Sequence, residues 1–215
     1  MSTRAYHLHE LEIARSLDDS RRVMPQLTSQ HRRVLDLGCG AGQTLIASDL
    51  PGEISAVGVD VDFDALLLGQ ELAAPLALVN GAAEGLPFAA GAFDLVIARV
   101  VLPFVPIRPA LVEIGRVLRP GGELWALLHP PRRTWRSLRA ATQARDTRQM
   151  LHQTYVLANG SLFHLSGAVI PSPASGRYES FQTAHGMIRE LQRAGLSNVI
   201  VQRARHHTVL TAVKR

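Results

Sequence analysis

The stretch Val34-Leu35-Asp36-Leu37-Gly38-Cys39-Gly40-Ala41-Gly42-Gln43-Thr44 decides the fold. Arg33 to Leu37 is a short apolar run of the kind that forms a strand buried on both faces. Three glycines at every second position then turn the chain, which lets a ligand approach backbone N–H groups with no Cβ in the way. Working outward, Ile54 to Asp60 reads as a second strand, Leu76 to Val79 as a third, Phe93 to Ala98 as a fourth and Glu123 to Leu128 as a fifth. Between the last two, Leu111, Ile114, Val117 and Leu118 share one helical stripe. Short apolar runs alternating with helical patterns predict an α/β fold with a parallel sheet.

The flanks read differently. Residues 1–30 carry Leu8, Leu11, Ile13, Ala14 and Leu17 among charges, a helical prelude expected to lie across the mouth of the sheet as a lid. Residues 130–180 break the alternation and are expected to form an insert that caps the substrate. Asn159-Gly160 lies between Tyr155-Val156-Leu157-Ala158 and Ser161-Leu162-Phe163-His164, and Asn-Gly between two β-prone runs predicts a hairpin. In that hairpin Tyr155 faces His164. Thr183 to Ala194 is expected to be helical, with two closing strands near Asn198 to Val201 and His207 to Val213.

The chain has 215 residues, of which 47% are hydrophobic and 19% charged, a composition that supports one domain with its own core. Cys39 is the only cysteine, so no internal disulfide forms, and the first twenty residues lack a secretory pattern; a reduced, cytoplasmic location is expected. No run of about 18 apolar residues occurs, which predicts no membrane span. The formal charge is +5. Arg132, Arg133, Arg136, Arg139, Arg145 and Arg148, against Asp146 alone, account for that excess. Such a run is either a solvated helix face or a track for phosphate.

Asp60 ends the second strand about twenty residues after the glycine loop, where a carboxylate accepts ribose hydroxyls, and the pair argues for an adenosine-containing cofactor. A dinucleotide site would place its third glycine one residue later than Gly42. Asp36, directly before the loop, suits a positively charged ligand better than a pyrophosphate, and S-adenosylmethionine carries both an ammonium and a sulfonium.

Asp36-Leu37-Gly38-Cys39-Gly40-Ala41-Gly42, Gly58-Val59-Asp60, Leu86-Pro87-Phe88 followed by Phe93-Asp94, and Val117-Leu118-Arg119-Pro120-Gly121-Gly122 together resemble the class I S-adenosylmethionine-dependent methyltransferases. The likeness extends from about Arg32 to His129. It is strongest to the small-molecule branch that includes the ubiquinone/menaquinone biosynthesis enzymes. The resemblance implies a Rossmann-like sheet of seven strands with the last antiparallel, and the organisation 1–30 lid, 32–129 cofactor core, 130–180 cap and 181–215 closing elements. It also implies S-adenosylmethionine as cofactor, with S-adenosylhomocysteine as product. Asp36, Gly38 and Gly40 would line its methionine part, Asp60 its ribose and Val61 its adenine. Ala82, Ala83 and Glu84 would border the adenine, with Ala98 and Arg99 on the far side. Two positions depart from the family: Ala82, where Asp is common, and Pro103, where many relatives place His.

Methyl transfer is an in-line displacement, so positioning of the acceptor dominates and proton removal is secondary. Candidate bases are His129, at the end of the fifth strand, with Tyr155, His164, His152 and His185 in and after the cap. His206 and His207 are expected at an edge rather than on a metal, because no carboxylate or thiol joins them. Thr147 to Tyr178 holds no Asp or Glu, which points to metal-independent chemistry. Three functions follow: methylation of a small-molecule acceptor, partly apolar or acidic; methylation of RNA along the arginines, where Trp135 is the only aromatic of that segment; and cofactor binding without transfer.

Overall fold

The computed structural model describes residues 3–48, 50, 52–203 and 207–215. Strands β1 (Arg33–Leu37), β2 (Ser55–Asp60), β3 (Leu78–Asn80), β4 (Phe93–Arg99), β5 (Leu118–Leu128), β6 (Leu196–Arg203) and β7 (Thr208–Lys214) form one sheet in the order β3-β2-β1-β4-β5-β7-β6. The first five pair in parallel, and β7 runs antiparallel to both β5 and β6. The seven-stranded α/β expectation holds, with the antiparallel strand last in the chain and second from the edge.

Strand periodicity builds two cores. Leu35 and Leu37 of β1, Val96 and Ala98 of β4, and Leu124, Ala126 and Leu128 of β5 point into one layer. Their neighbours Val34, Leu95, Ile97, Trp125 and Leu127 point into the other. Each strand is therefore apolar on both faces, which is why these segments read as unbroken apolar runs.

Helices α1 (Thr3–Arg15), α2 (Gln43–Ala47), α3 (Phe63–Leu72), α4 (Ile107–Val117), α5 (Pro131–Gln143), α6 (Thr147–Ser166) and α7 (Ala184–Arg193) cover the sheet. The α4 stripe of Ile107, Ala110, Leu111, Ile114 and Val117 is buried. Asp62, Asp146 and Thr183 cap α3, α6 and α7, each accepting from the backbone N–H three residues on, for about 1 kcal/mol apiece.

The expected hairpin at Asn159-Gly160 is absent: both residues lie inside α6. Tertiary contacts override the local turn preference. The Asn159 amide donates to the carbonyls of Ile170 and Glu179 at 3.1 and 2.9 Å and its oxygen accepts from the Ile170 N–H at 2.9 Å. A Cβ on Gly160 would stand 2.3 Å from the Phe181 ring. The pair thus seats the segment 170–181 against a helix. On α6 Tyr155 and His164 lie nine residues apart, hence on opposite faces at ~100° per residue, and do not face each other.

Candidate active site

The strand order reverses between β1 and β4, and ligands of open α/β sheets bind outside the carboxyl ends of the strands at such a point. The glycine loop fills it. Gly38 and Cys39 donate their N–H groups to the Val59 carbonyl at 2.8 and 3.1 Å. Gly40 takes a φ of 55°, and a Cβ there would meet the His7 ring at 2.8 Å, so both the turn and the close approach of α1 require glycine.

Asp60 ties the loop to β2. One oxygen accepts from Gly40 N–H at 2.7 Å and the other from Asp62 N–H at 2.9 Å, which leaves lone pairs on both facing the cleft. Asp36 is fully buried, and neither carboxylate oxygen has a hydrogen-bond partner among the described residues. Burial pushes its pKa up to about 7, Asp60 reinforcing the shift while Arg99 and the nearby Thr44 hydroxyl, whose contact falls short of hydrogen-bond geometry, oppose it. An ionised buried carboxylate without partners is costly, and either protonation or a cationic ligand offsets that cost. Burial also drives the Cys39 thiol upward, so it is no nucleophile.

A cleft of about 710 Å³ opens over the loop. Its floor includes Gly38, Cys39, Gly40, Gln43 and Thr44, with Asp60 and Arg99 at the strand ends. From α1, Tyr6, His7, Glu10 and Ile13 line one side. Gln43 holds the His7 ring at 2.7 Å, and Arg99 reaches the Thr44 hydroxyl at 3.2 Å and the Glu10 carboxylate at 3.6 Å. Val100 lines the cleft at φ 63°, a costly conformation for a β-branched residue, held by its N–H to the Leu127 carbonyl.

His129 also lines the cleft. Gln182 brackets its backbone, donating to its carbonyl at 2.9 Å and accepting from its N–H at 3.2 Å, and its ring meets Phe104 edge-on at 5.6 Å. Burial, with the Arg133 and His207 charges, pushes the imidazole down to about 3. At neutral pH it is uncharged.

The other expected site residues are placed elsewhere. Tyr155 and His164 do not line this cleft. The Tyr155 hydroxyl donates to the Ile170 carbonyl at 2.8 Å and accepts from Glu179 N–H at 3.2 Å, while His164 Nδ1 pairs with the Thr183 hydroxyl at 2.9 Å. His152 pairs with Glu179 at 3.0 Å, and His185 packs on His164. Ala83 and Ala98 are buried in the core, Val61 and Glu84 are exposed, and none of the four lines the cleft. His207 lines the cleft instead of an outer edge, and His206 lies outside the described residues. Sequence reading missed Tyr6, Glu10, Phe104, Arg133 and Arg136 as lining. The signal for the first pair was the spacing Tyr6, Glu10, Ile13 on one helical face.

The sheet order, with the glycine loop at its point of reversal, is the fold of S-adenosylmethionine-dependent methyltransferases: one from Methanosarcina mazei superposes with a TM-score of 0.58 at 19% identity, covering 87% of this chain and 94% of the other. Residues 35–126 match the family model described as a methyltransferase domain. It is 38% identical over 110 residues to an uncharacterized methyltransferase of Synechocystis sp., sll0829, covering 48% of this chain and 50% of that protein. It is 35% identical over 99 residues to the ubiquinone/menaquinone biosynthesis C-methyltransferase UbiE of Geotalea uraniireducens, covering 42% of each. The chain thus spans about half the length, or less, of the curated relatives it matches. Among solved structures, PigF with S-adenosylhomocysteine superposes with a TM-score of 0.60 at 18% identity, covering 98% of this chain and 56% of the other.

Proposed function

We propose that the protein transfers a methyl group from S-adenosylmethionine to a small-molecule acceptor without a metal. The observation that carries this reading is Asp36, a buried carboxylate without a hydrogen-bond partner among the described residues, directly beneath a glycine loop. It is the arrangement a ligand bearing ammonium and sulfonium charge completes. When bound, S-adenosylmethionine supplies an electrophilic methyl group. The residues that would hold it are Asp36, Gly38, Gly40 and Asp60, with Arg99 beside them.

The chain's own part is positioning and charge. Asp36 and Asp60 set a negative potential around the loop, and Arg99 fixes the Asp36 side through Thr44 and Glu10. Helix α1 and the start of α5 wall the cleft. His129 presents a neutral imidazole there, able to accept a hydrogen bond that orients the acceptor; with its pKa pushed down to about 3 it is a weak base. The volume suits small molecules, and the curated relatives named for quinone methylation point the same way. Incubating the protein with methyl-labelled S-adenosylmethionine and a cell extract, then separating small molecules, RNA and protein, tests it. Label in the small-molecule pool is expected; label removed by ribonuclease, or no transfer to any pool, overturns the reading.

A further inference from the structure

We propose that the acceptor is an anion bearing a carboxylate, seated by Arg133 and Arg136 on the first turns of α5; this rests on the methyltransferase reading and adds the substrate class. Four arginines line the cleft: Arg21, Arg99, Arg133 and Arg136. Two are matched by acids, Arg21 by Asp19 at 2.7 Å and Arg99 by Glu10 at 3.6 Å. Arg133 and Arg136 make no ion pair with an acidic side chain among the described residues. Other arginines are drawn onto acids, as where Arg108, Arg189 and Arg193 converge on the buried Glu190. What sets Arg133 and Arg136 apart from the remaining unmatched arginines is their place on the wall of the cleft.

The spacing of three residues puts both side chains on one face of α5. Arg133 lies near enough to bias His129 at the end of β5 and Tyr6 on α1, so its charge sits across the cleft mouth between the two walls. The cofactor adds net positive charge to the cleft, its ammonium and sulfonium outnumbering its single carboxylate. The remaining ligand must supply the negative group. Guanidinium forks match a planar carboxylate through paired hydrogen bonds. Ile13, Phe104 and Leu127 on the same walls offer apolar surface to the rest of the molecule. An amphipathic carboxylate fits both halves of the cleft, and His129 is held next to the arginine that would grip it.

The test uses two probes of one shape, 2-naphthoate and 2-naphthamide, titrated into the full chain saturated with S-adenosylhomocysteine, whose own affinity is measured first. The wild type is expected to bind the naphthoate about tenfold more tightly than the amide, the worth of one charge-assisted pair. In Arg133→Gln/Arg136→Gln that preference falls to about one, while S-adenosylhomocysteine affinity stays within about twofold. A preference that is absent in the wild type, including binding of neither probe, overturns the proposal, as does one that survives in the double variant. A parallel loss of S-adenosylhomocysteine affinity also overturns it, since the arginines would then hold the cofactor's carboxylate. Failure of the wild type to bind S-adenosylhomocysteine overturns the methyltransferase reading itself.

Discussion

Asp36 concentrates the account in a single side chain. Its folded pKa of about 7 lies above the ordinary carboxylate value of 3.8, so the folded chain holds a proton that the unfolded chain releases between those values. Stability of the unliganded protein is expected to fall as pH rises through that interval and to level off above it, by up to about 4 kcal/mol. Asp36→Asn should abolish this slope, as read from denaturant midpoints at several pH values. The ionised form is the one that meets a cation, so S-adenosylmethionine affinity is expected to rise about tenfold from about pH 6 to about pH 8, and to stay flat in Asp36→Asn. His129, held neutral, gives a different outcome: His129→Ala should lower turnover by roughly tenfold, the worth of one orienting hydrogen bond, and leave S-adenosylhomocysteine affinity unchanged in calorimetry. Asp36 and Asp60 were legible because they sit at fixed distances from a glycine loop. Tyr155 and His164 misled because their assigned roles depended on a turn that does not form.

At the scale of elements, the parallel strands were readable because each is apolar on both faces and bounded by Gly or Pro. Helix α6 was not. Asn159 and Gly160 favour a turn in isolation, yet the amide network to Ile170 and Glu179 and the Phe181 ring over Gly160 are worth more than that local preference. Gly160→Ala separates the two influences. Alanine gains about 1 kcal/mol of helix propensity but places a methyl group 2.3 Å from a buried ring. Overpacking of that kind costs about 1–3 kcal/mol, so a net loss of stability is expected in chemical denaturation. A gain would show that the ring yields freely. The same reasoning explains the missed wall residues: Arg133 and Arg136 reach the cleft only because α5 starts where β5 ends, a junction that the arginine run does not reveal.

Across the whole molecule, the reversal of strand order places the glycine loop, and the chain then closes the space above it from both ends. Helix α1 comes from the start, α5 follows β5, and His207 arrives from the segment before β7. The core of this plan was visible in residues 33–128; the walls, assembled from distant segments, required the structure. On this plan the cleft is an S-adenosylmethionine site built on Asp60 and the loop it anchors. Calorimetric titration of S-adenosylhomocysteine into the wild type and Asp60→Ala tests it most directly, with melting curves to confirm that both are folded. The account predicts saturable one-to-one binding by the wild type and binding at least about a hundredfold weaker in the variant, the loss of two hydrogen bonds to a charged group. Equal affinity in the two proteins, or none in the wild type, would contradict it.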